Sequence, residues 1–444
     1  MKLKEWVKVE DYQWEGVNWL VKQKMGVLAD EMGLGKSLQA LIAANKVGKQ
    51  IGVICPGGLR HNWVKEVYKF FDDVTVGAVH NNKDLDKLTF DEDVIIISYE
   101  FVEKAMFLFT FLDTWILDEV QKIKNEKSKR TQWFTGAMHS FCPPKQVFML
   151  TGTPIANRVP DLYVPLYICS VGTNHGIDIR KAFKSQQQFG YYFCENIKRT
   201  IRINGKVKGK KYHRGGRTRE VTTLGKLKKH KAPQLHSLME GRLLRRLAKD
   251  YLNLEELQYK PHIINDSINK ELEEAYQNRS KVSSMERKEN NALRKCKHTA
   301  HYINNLVEEV EGPILVFTDH VDSSIRLGEL VSYMGLKTGI INGRVSDKIR
   351  QKYVDSFTTG ELDILVATYG TCSTGYTFVN CNHIVKNDYS WNPDDNDQAV
   401  KRIHRKGQEK PCYVHQILSD ASDVRILELV SEKKEDIDIV LKEQ

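Results

Sequence analysis

Asp30-Glu31-Met32-Gly33-Leu34-Gly35-Lys36-Ser37 is the stretch on which the reading of this chain turns. It follows an apolar run, ends in Gly-Lys-Ser and leads into residues that favour a helix. Glycines let backbone N–H groups approach phosphate oxygens, and the start of a helix adds positive potential. A lysine there reaches the β and γ phosphates, and a serine hydroxyl ligates magnesium. The segment therefore reads as a phosphate-binding loop: Gly33 and Gly35 shape the turn, Lys36 holds phosphate and Ser37 holds metal. ATP and Mg2+ are the expected cofactors. Asp30 stands where the generic pattern has its first glycine.

Working outward, short apolar runs alternate with helix-like stretches. Residues 51–55, 94–97 and 115–117 read as buried strands, with a polar helical stretch over 59–70. Such alternation implies a parallel sheet with ligands at the carboxyl ends of its strands. The run Trp115-Ile116-Leu117 delivers Asp118 and Glu119 side by side. Hydrolysis of a phosphoanhydride needs one acid to hold metal and one to orient or deprotonate water. Asp118 is assigned to the metal and Glu119 to the water. Without a phosphate-binding loop, an Asp-Glu pair is a solvated turn.

The alternation stops near residue 171 and restarts near 310. In between, the chain reads as basic and mostly helical, with Leu243, Leu244 and Leu247, then Leu293, Tyr302 and Leu306, at the spacing of apolar helix faces. Beyond it, residues 314–317, 338–341, 364–367, 383–385 and 414–418 are again short apolar runs. Gln398-Ala399-Val400-Lys401-Arg402-Ile403-His404-Arg405 reads as a helix that places Arg402 and Arg405 at i, i+3, so both point from one face.

At 444 residues the chain is long enough for two or three domains, each with its own core. No apolar run approaches the roughly 20 residues of a membrane span, and a 28% charged content suits a soluble protein with no membrane partner. The eight cysteines are scattered without a Cys-x-x-Cys pair, so neither a zinc site nor a disulfide framework is expected. With a charged N-terminus, this points to a reducing, cytoplasmic setting. The net charge of +10 is local: residues 198–231 hold fourteen Lys or Arg against the single acid Glu220, leaving the rest of the chain slightly acidic. Broken by Gly205, Gly209, Gly215, Gly216 and Gly225, this stretch reads as a loop or hairpin that contacts phosphates, with Lys206, Lys208, Lys210 and Lys211 as candidates. The plainer reading is a solvated insertion.

Taken together, the motifs resemble the Swi/Snf branch of the superfamily-two helicase-like ATPases over residues 12–430. The Asp-Glu-Met-Gly-Leu-Gly-Lys-Ser form is the one that family uses, and Asp118-Glu119-Val120-Gln121 followed by Lys122-Ile123-Lys124-Asn125 resembles its acidic box, with Gln121 in place of the commoner histidine. Tyr12-Gln13, with Gly16 and Trp19-Leu20, resembles the adenine-sensing motif. Cys55-Pro56-Gly57-Gly58-Leu59 with Asn62-Trp63 and Glu66, and Ile97-Ser98-Tyr99-Glu100, resemble segments that track a DNA strand. The resemblance thus implies nucleic-acid contacts at Pro56, Gly57, Ser98 and Tyr99. Leu150-Thr151-Gly152-Thr153-Pro154-Ile155-Ala156-Asn157 resembles the motif that links hydrolysis to lobe movement.

In the second half, Gln398-x-x-x-Arg402-x-x-Arg405-x-Gly407-Gln408 resembles the box that carries the arginine finger, which implies catalytic roles for Gln398, Arg402 and Arg405. Asp388-Tyr389-Ser390-Trp391-Asn392-Pro393 matches too. Leu244-Arg245-Arg246-Leu247-Ala248-Lys249-Asp250 and Leu293-Arg294-Lys295-Cys296-Lys297-His298 resemble junction motifs with one residue shifted, and Cys372-Ser373 replace paired glycines before Gly375. Phe189 to Cys194 and Gly375 to Phe378 resemble the annealing-helicase and HepA-related branches.

The expected fold is α/β, with two RecA-like parallel-sheet lobes (1–172 and 311–444) flanking a helical, basic insertion (173–310). The resemblance implies an ATP-dependent translocase on duplex DNA, monomeric, nucleoid-associated or from a phage-infected cell, acting on DNA or on proteins bound to it. A strand-separating helicase on DNA or RNA and a non-hydrolysing scaffold are the competing readings.

Overall fold

The computed structural model describes residues 1–139, 143–171, 177–203, 206–207, 210–211, 217–264, 284–372, 375–419 and 421–441. After α1 (Asp11–Gln23) the chain enters β1 (Met25–Leu28), which leads through the glycine loop into α2 (Lys36–Val47). Then come β2 (Ile51–Cys55), α3 (Arg60–Phe70), β3 (Val76–Ala78), β4 (Val94–Ser98), β5 (Thr114–Leu117) and β6 (Gln146–Leu150). A long antiparallel hairpin, β7 (Cys194–Ile203) and β8 (Arg217–Leu227), is followed by α4 (Ala232–Met239) and β9 (Leu243–Leu244). Among the described residues these form one seven-stranded sheet in the order β9-β1-β6-β5-β2-β4-β3, every neighbouring pair parallel.

The second sheet has six described strands. They are β10 (Gln258–Ile263), β11 (Ile314–Thr318), β12 (Thr338–Ile341), β13 (Ile364–Thr368), β14 (His383–Lys386) and β15 (Tyr413–Leu418). Their order is β10-β15-β14-β11-β13-β12, all parallel. The helices α5 (Ser284–Glu309), α6 (Val321–Tyr333), α7 (Asp347–Thr358) and α8 (Pro393–Val400) accompany it, and α9 (Ala421–Leu441) closes the chain. Pro261 sits in β10, an edge strand, where a missing N–H does least harm.

Runs such as Val94-Ile95-Ile96-Ile97 are buried on both faces because helices cover both sides of a parallel sheet. Each sheet accordingly separates two apolar clusters. Trp115 is fully buried, stacked on Phe109 with ring centroids 4.1 Å apart. It lies flat across β2 only because position 52 is glycine: a Cβ there would fall 2.4 Å from the indole. Truncating an aromatic at such a site costs about 3–5 kcal/mol.

Three sequence expectations need correction. Leu243 and Leu244 are not a helix face: they pair with Val27 and Leu28 as an edge strand of the first sheet. The first lobe therefore reaches beyond residue 172, and the second begins before 311, because β10 pairs with β15. The middle of the chain is also less helical than expected, since the β7/β8 hairpin occupies its basic part. Finally, α9 leaves the second sheet but ends in the first lobe, where Val440 and Leu441 join the cluster holding Leu238 and Met239. Among the described residues no helix is long and apolar enough to cross a membrane.

Lys386 in β14 is 4% exposed and donates to Asn396 O at 3.1 Å. Burial pushes its pKa from 10.5 down to about 8. Between those values the unfolded chain binds more protons, so this group makes stability rise with pH across that window. Below it, the buried ammonium costs up to about 3 kcal/mol. Lys386→Met is expected to raise the melting temperature at neutral pH and to flatten the alkaline rise. A variant less stable than wild type in urea melts at neutral pH would show that the Asn396 hydrogen bond outweighs desolvation.

Candidate functional site

The phosphate cradle begins where β1 ends. Gly33 and Gly35 have φ of 93° and 74°, a left-handed backbone that suits glycine, and α2 starts at Lys36. A Cβ at Gly35 would also lie 2.4 Å from Gln13 Nε2. Lys36 Nζ donates to Asp30 O at 2.7 Å and Glu31 O at 3.3 Å, so the lysine braces its own loop. Burial lowers its pKa, opposed by the charges of Glu119, Asp30 and Asp118.

The aspartate at position 30 has a structural partner that sequence reasoning missed. Arg246 Nε and Nη2 donate to Asp30 Oδ1 and Oδ2 at 2.9 and 2.6 Å, and Gln39 Nε2 adds a bond to Oδ2 at 3.1 Å. Asp30 is 0% exposed, and a carboxylate buried that deeply requires such a bidentate cation. The acid in place of the usual glycine was the available signal. Arg246 also donates to Tyr12 O and lies 5.3 Å from the Tyr12 ring centroid.

Tyr12 packs against Tyr251 with ring centroids 4.6 Å apart. They line a cleft of about 560 Å³ shared by Glu10, Asn253, Leu254 and Lys406, which joins the start of α1, the segment between the sheets and the second lobe. Gln13 accepts from Glu10 N–H at 3.0 Å and donates to Leu34 O at 3.2 Å, tying α1 to the cradle. The two rings, tilted 42° to each other, give this cleft an aromatic lining of the kind that ligand pockets use.

β5 delivers the acids. Trp63 Nε1 donates to Asp118 Oδ2 at 2.8 Å, and Tyr99 OH donates to Asp118 O at 2.8 Å. Burial, then the neighbouring Glu119 charge, lifts the Asp118 pKa to about 7. A buried carboxylate at a strand end, with the Ser37 hydroxyl at the start of α2, supplies the oxygen donors that suit Mg2+, which keeps few protein ligands and shares phosphate oxygens. Among the described residues no cluster of three or more His, Cys, Asp or Glu offers a protein-only metal cage. Glu119 has φ of 51°, a strained conformation for a non-glycine residue. Gln121 Nε2 donates to Glu119 Oε2, and Thr151 Oγ1 donates to Gln121 Oε1 at 2.9 Å. Gln121 thus couples the acidic box to the 150–157 segment.

The second lobe faces this arrangement. Helix α8 ends at Val400, so Arg402 and Arg405 do not lie on a helix as expected but in the turn that follows. Their guanidiniums still converge on one loop: Arg402 Nη1 donates to Tyr376 O at 3.2 Å and Arg405 Nη1 to Thr377 Oγ1 at 2.7 Å. Arg405 also senses the first lobe. Burial, then Arg402, lowers its pKa, while Glu66 of α3 opposes that. A Cβ on Gly33 would lie 4.0 Å from Arg405 Cβ. Glu66 in turn bonds the Ser37 side chain, and burial raises its pKa. Gln398 Nε2 donates to Asp394 Oδ1 at 2.9 Å. Asp394 is lifted to about 7 by burial, with Thr153 and Glu119 beside it, so Gln398, itself buried, reaches the site through Asp394.

The expected nucleic-acid residues divide. Ser98 is 3% and Tyr99 2% exposed, and Pro56 is buried too, so these three do not offer a contact surface. They sit inward because the carboxyl ends of β2 and β4 pack around Asp118. Gly57 does reach the surface, in a cleft of about 770 Å³ between the lobes that also holds Arg60, His61, His80, Lys348, Arg350 and Lys352. Asp347, Asp355 and Glu361 line the same cleft, and the residues from the two lobes face one another only through folding. Lys208 lies outside the described residues, and for Lys206, Lys210 and Lys211 only the backbone is described, as a short antiparallel pairing.

Residues 12–312 match the family described as the SNF2-related domain, and residues 297–407 match the helicase conserved C-terminal domain. Among curated proteins the chain is similar to the uncharacterized ATP-dependent helicase YqhH of Bacillus subtilis, 22% identical over 92% of this chain and 74% of that protein. It is similar to an uncharacterized ATP-dependent helicase of Mycoplasma pneumoniae, 24% identical over 97% of this chain and 42% of that protein. It is also similar to an ISWI chromatin-remodeling complex ATPase of Saccharomyces cerevisiae, 24% identical over 96% of this chain and 40% of that protein. The chain thus spans less than half the length of the last two. Among solved structures, the Sulfolobus solfataricus SWI2/SNF2 ATPase core in complex with dsDNA is 21% identical, with a TM-score of 0.42 over 99% of this chain and 95% of that one. With the SNF2-related domain matched over residues 12–312, more than half of the chain, the chain belongs to the SNF2-related family and is a helicase-like enzyme that hydrolyses ATP.

Proposed function

We propose that the chain is a motor that moves along duplex DNA and thereby remodels or anneals DNA or displaces proteins bound to it. The observation that carries this reading is the division of one site between two lobes. Lys36, Asp118 and Glu119 belong to the first sheet's strand ends, and Arg405 approaches from the second lobe. Hydrolysis is complete only when the lobes close, so each turnover is tied to a change of shape. The cleft at Gly57 spans the same two lobes and mixes cations (Arg60, Lys348, Lys352) with acids (Asp347, Asp355, Glu361), so a phosphate backbone held by its cations would be moved as the lobes close. Ser37 and Asp118 would hold Mg2+, which neutralises charge on the transferred phosphate. The reading places the protein, as a monomer, in the cytoplasm on the nucleoid or in a phage-infected cell.

Turnover measured side by side with duplex DNA, single-stranded DNA and RNA tests it. Duplex DNA is expected to stimulate most. Equal or greater stimulation by single strands would favour a strand-separating helicase, and no stimulation by any would remove the motor. In the same titrations, changing Lys206, Lys208, Lys210 and Lys211 to Gln is expected to flatten the salt dependence of duplex affinity by up to roughly four contacts' worth. Coincident slopes would show that the basic hairpin does not touch phosphates.

A further inference from the structure

Two lysines flank the arginine pair, and both meet acids of the first lobe. Lys401 Nζ forms an ion pair with Glu31 Oε1, each side chain about 20% exposed (20% and 21%). Lys406 approaches Glu10 at 3.8 Å, with both side chains more than half exposed (65% and 53%). The second contact is a surface pair of the kind that contributes little. The first is different in kind, because both of its ends are already held.

Glu31 belongs to the phosphate cradle itself. Its N–H donates to Arg246 O at 2.9 Å, its Oε2 accepts from Ala248 N–H at 2.8 Å, and its carbonyl receives Lys36 Nζ at 3.3 Å. Burial alone would lift the Glu31 carboxyl. The Lys401 ammonium and its hydrogen bond, with the Ala248 N–H and the Arg245 charge, override that and hold the carboxyl below its usual range.

On the other side, Lys401 caps α8 and opens the turn that carries both arginines. Backbone bonds hold this turn: Lys401 N to Asp397 O at 3.1 Å, His404 N to Val400 O at 3.2 Å, and Gln408 N to Arg405 O at 3.0 Å. A tether on Lys401 therefore sets where Arg402 and Arg405 can go.

We propose that Lys401 is a positioning residue: its ion pair with Glu31 registers the arginine-bearing turn against the phosphate cradle, so that Arg405 meets the nucleotide only in a cleft closed to the right depth. The proposal rests on the reading of Arg405 as the cross-cleft arginine. A lysine that binds phosphate would act through nucleotide affinity, whereas a registering lysine acts through the rate of the chemical step. The pair crosses the cleft beside the cradle yet spends its charge on Glu31. Since about a fifth of each side chain is exposed, salt loosens but does not abolish it.

A double-mutant cycle on the full chain tests this. Lys401→Met, Glu31→Gln and the double variant are compared with wild type in duplex-stimulated ATP turnover over a range of salt. Misplacement of reacting groups by about 1 Å can cost 100-fold, so loosening this tether is expected to lower kcat on the order of tenfold. KM for ATP should stay within about twofold, and Lys401→Arg should retain most of the rate. The double variant should be no slower than the slower single, because the second change removes nothing further. Three results would overturn the proposal: an unchanged kcat in Lys401→Met, a rise in KM in place of a fall in kcat, or losses that multiply in the double variant. A wild-type chain without nucleic-acid-stimulated turnover would instead overturn the motor, so the two failures are distinguishable.

Discussion

Glu119→Gln is expected to bind ATP as wild type does and to stop hydrolysing it, whereas Lys36→Ala is expected to lose hydrolysis together with much of its grip on the nucleotide. Lys36 is buried in the cradle among Asp30, Glu119 and Asp118. Its removal takes away the cation that phosphates require and also the brace on the carbonyls of Asp30 and Glu31. Glu119 stands one residue beyond the metal candidate and accepts a side-chain hydrogen bond from Gln121. Substituting Gln keeps the shape and removes the negative charge that orients or deprotonates water. Loss of a positioned acid or base commonly costs about 100- to 10,000-fold. Nucleotide binding followed by fluorescence, beside single-turnover hydrolysis, separates the two lesions. Turnover near the wild-type rate in Glu119→Gln would mean that another group activates the water. Because Gln121 bridges Glu119 to Thr151, the Gln variant also shows whether that bridge needs the charge or only the shape.

How much of this was legible beforehand depends on whether a residue's surroundings are local. The strand ends were readable because a run such as Trp115-Ile116-Leu117 has only one way to be buried on both faces, and the next residues must then emerge at the sheet's edge. The cradle was readable for the same reason: glycine freedom and the helix start are properties of adjacent residues. Tyr99 was not. It follows β4 as an aromatic that surface motifs commonly use, yet it turns beneath the Asp118 carbonyl, and nothing in 97–100 says which way the chain bends after the strand. Leu243 and Leu244 were misread because a two-residue strand is too short to show a period.

Contacts between distant segments were the least legible. The Arg246–Asp30 pair joins residues 216 positions apart, and the Lys401–Glu31 pair 370 apart. Sequence placed each of these residues in a motif but could not say that one motif holds the other. The arginine turn shows both limits. Spacing put Arg402 and Arg405 on one face of a helix, but that helix stops at Val400. What aligns the two guanidiniums is the 376–378 loop they both donate to, with Phe378 N–H returning a bond to Arg402 O at 2.9 Å.

That geometry separates the two arginines. Arg405→Ala is expected to lower nucleic-acid-stimulated turnover on the order of a thousandfold, the scale on which a cross-cleft arginine acts. Arg405 has Glu66 and the Ser37 hydroxyl on the far side of the cleft and Thr377 on its own. It can stabilise charge on a transferred phosphate only while the lobes are closed, so its loss removes transition-state binding and leaves ground-state binding nearly intact. Nucleic-acid affinity should survive within a few-fold, because the cleft that holds Arg60, Lys348 and Lys352 is built from other elements. Arg402 is 3% exposed and grips Tyr376 O. Arg402→Ala should therefore lower the melting temperature as well as the rate, since it frees the loop that carries Thr377. Turnover, duplex affinity and melting temperature measured on both variants decide between the roles. A stable Arg405→Ala that still turns over within tenfold of wild type, beside an equally stable Arg402→Ala that does not, would transfer the cross-cleft role to Arg402.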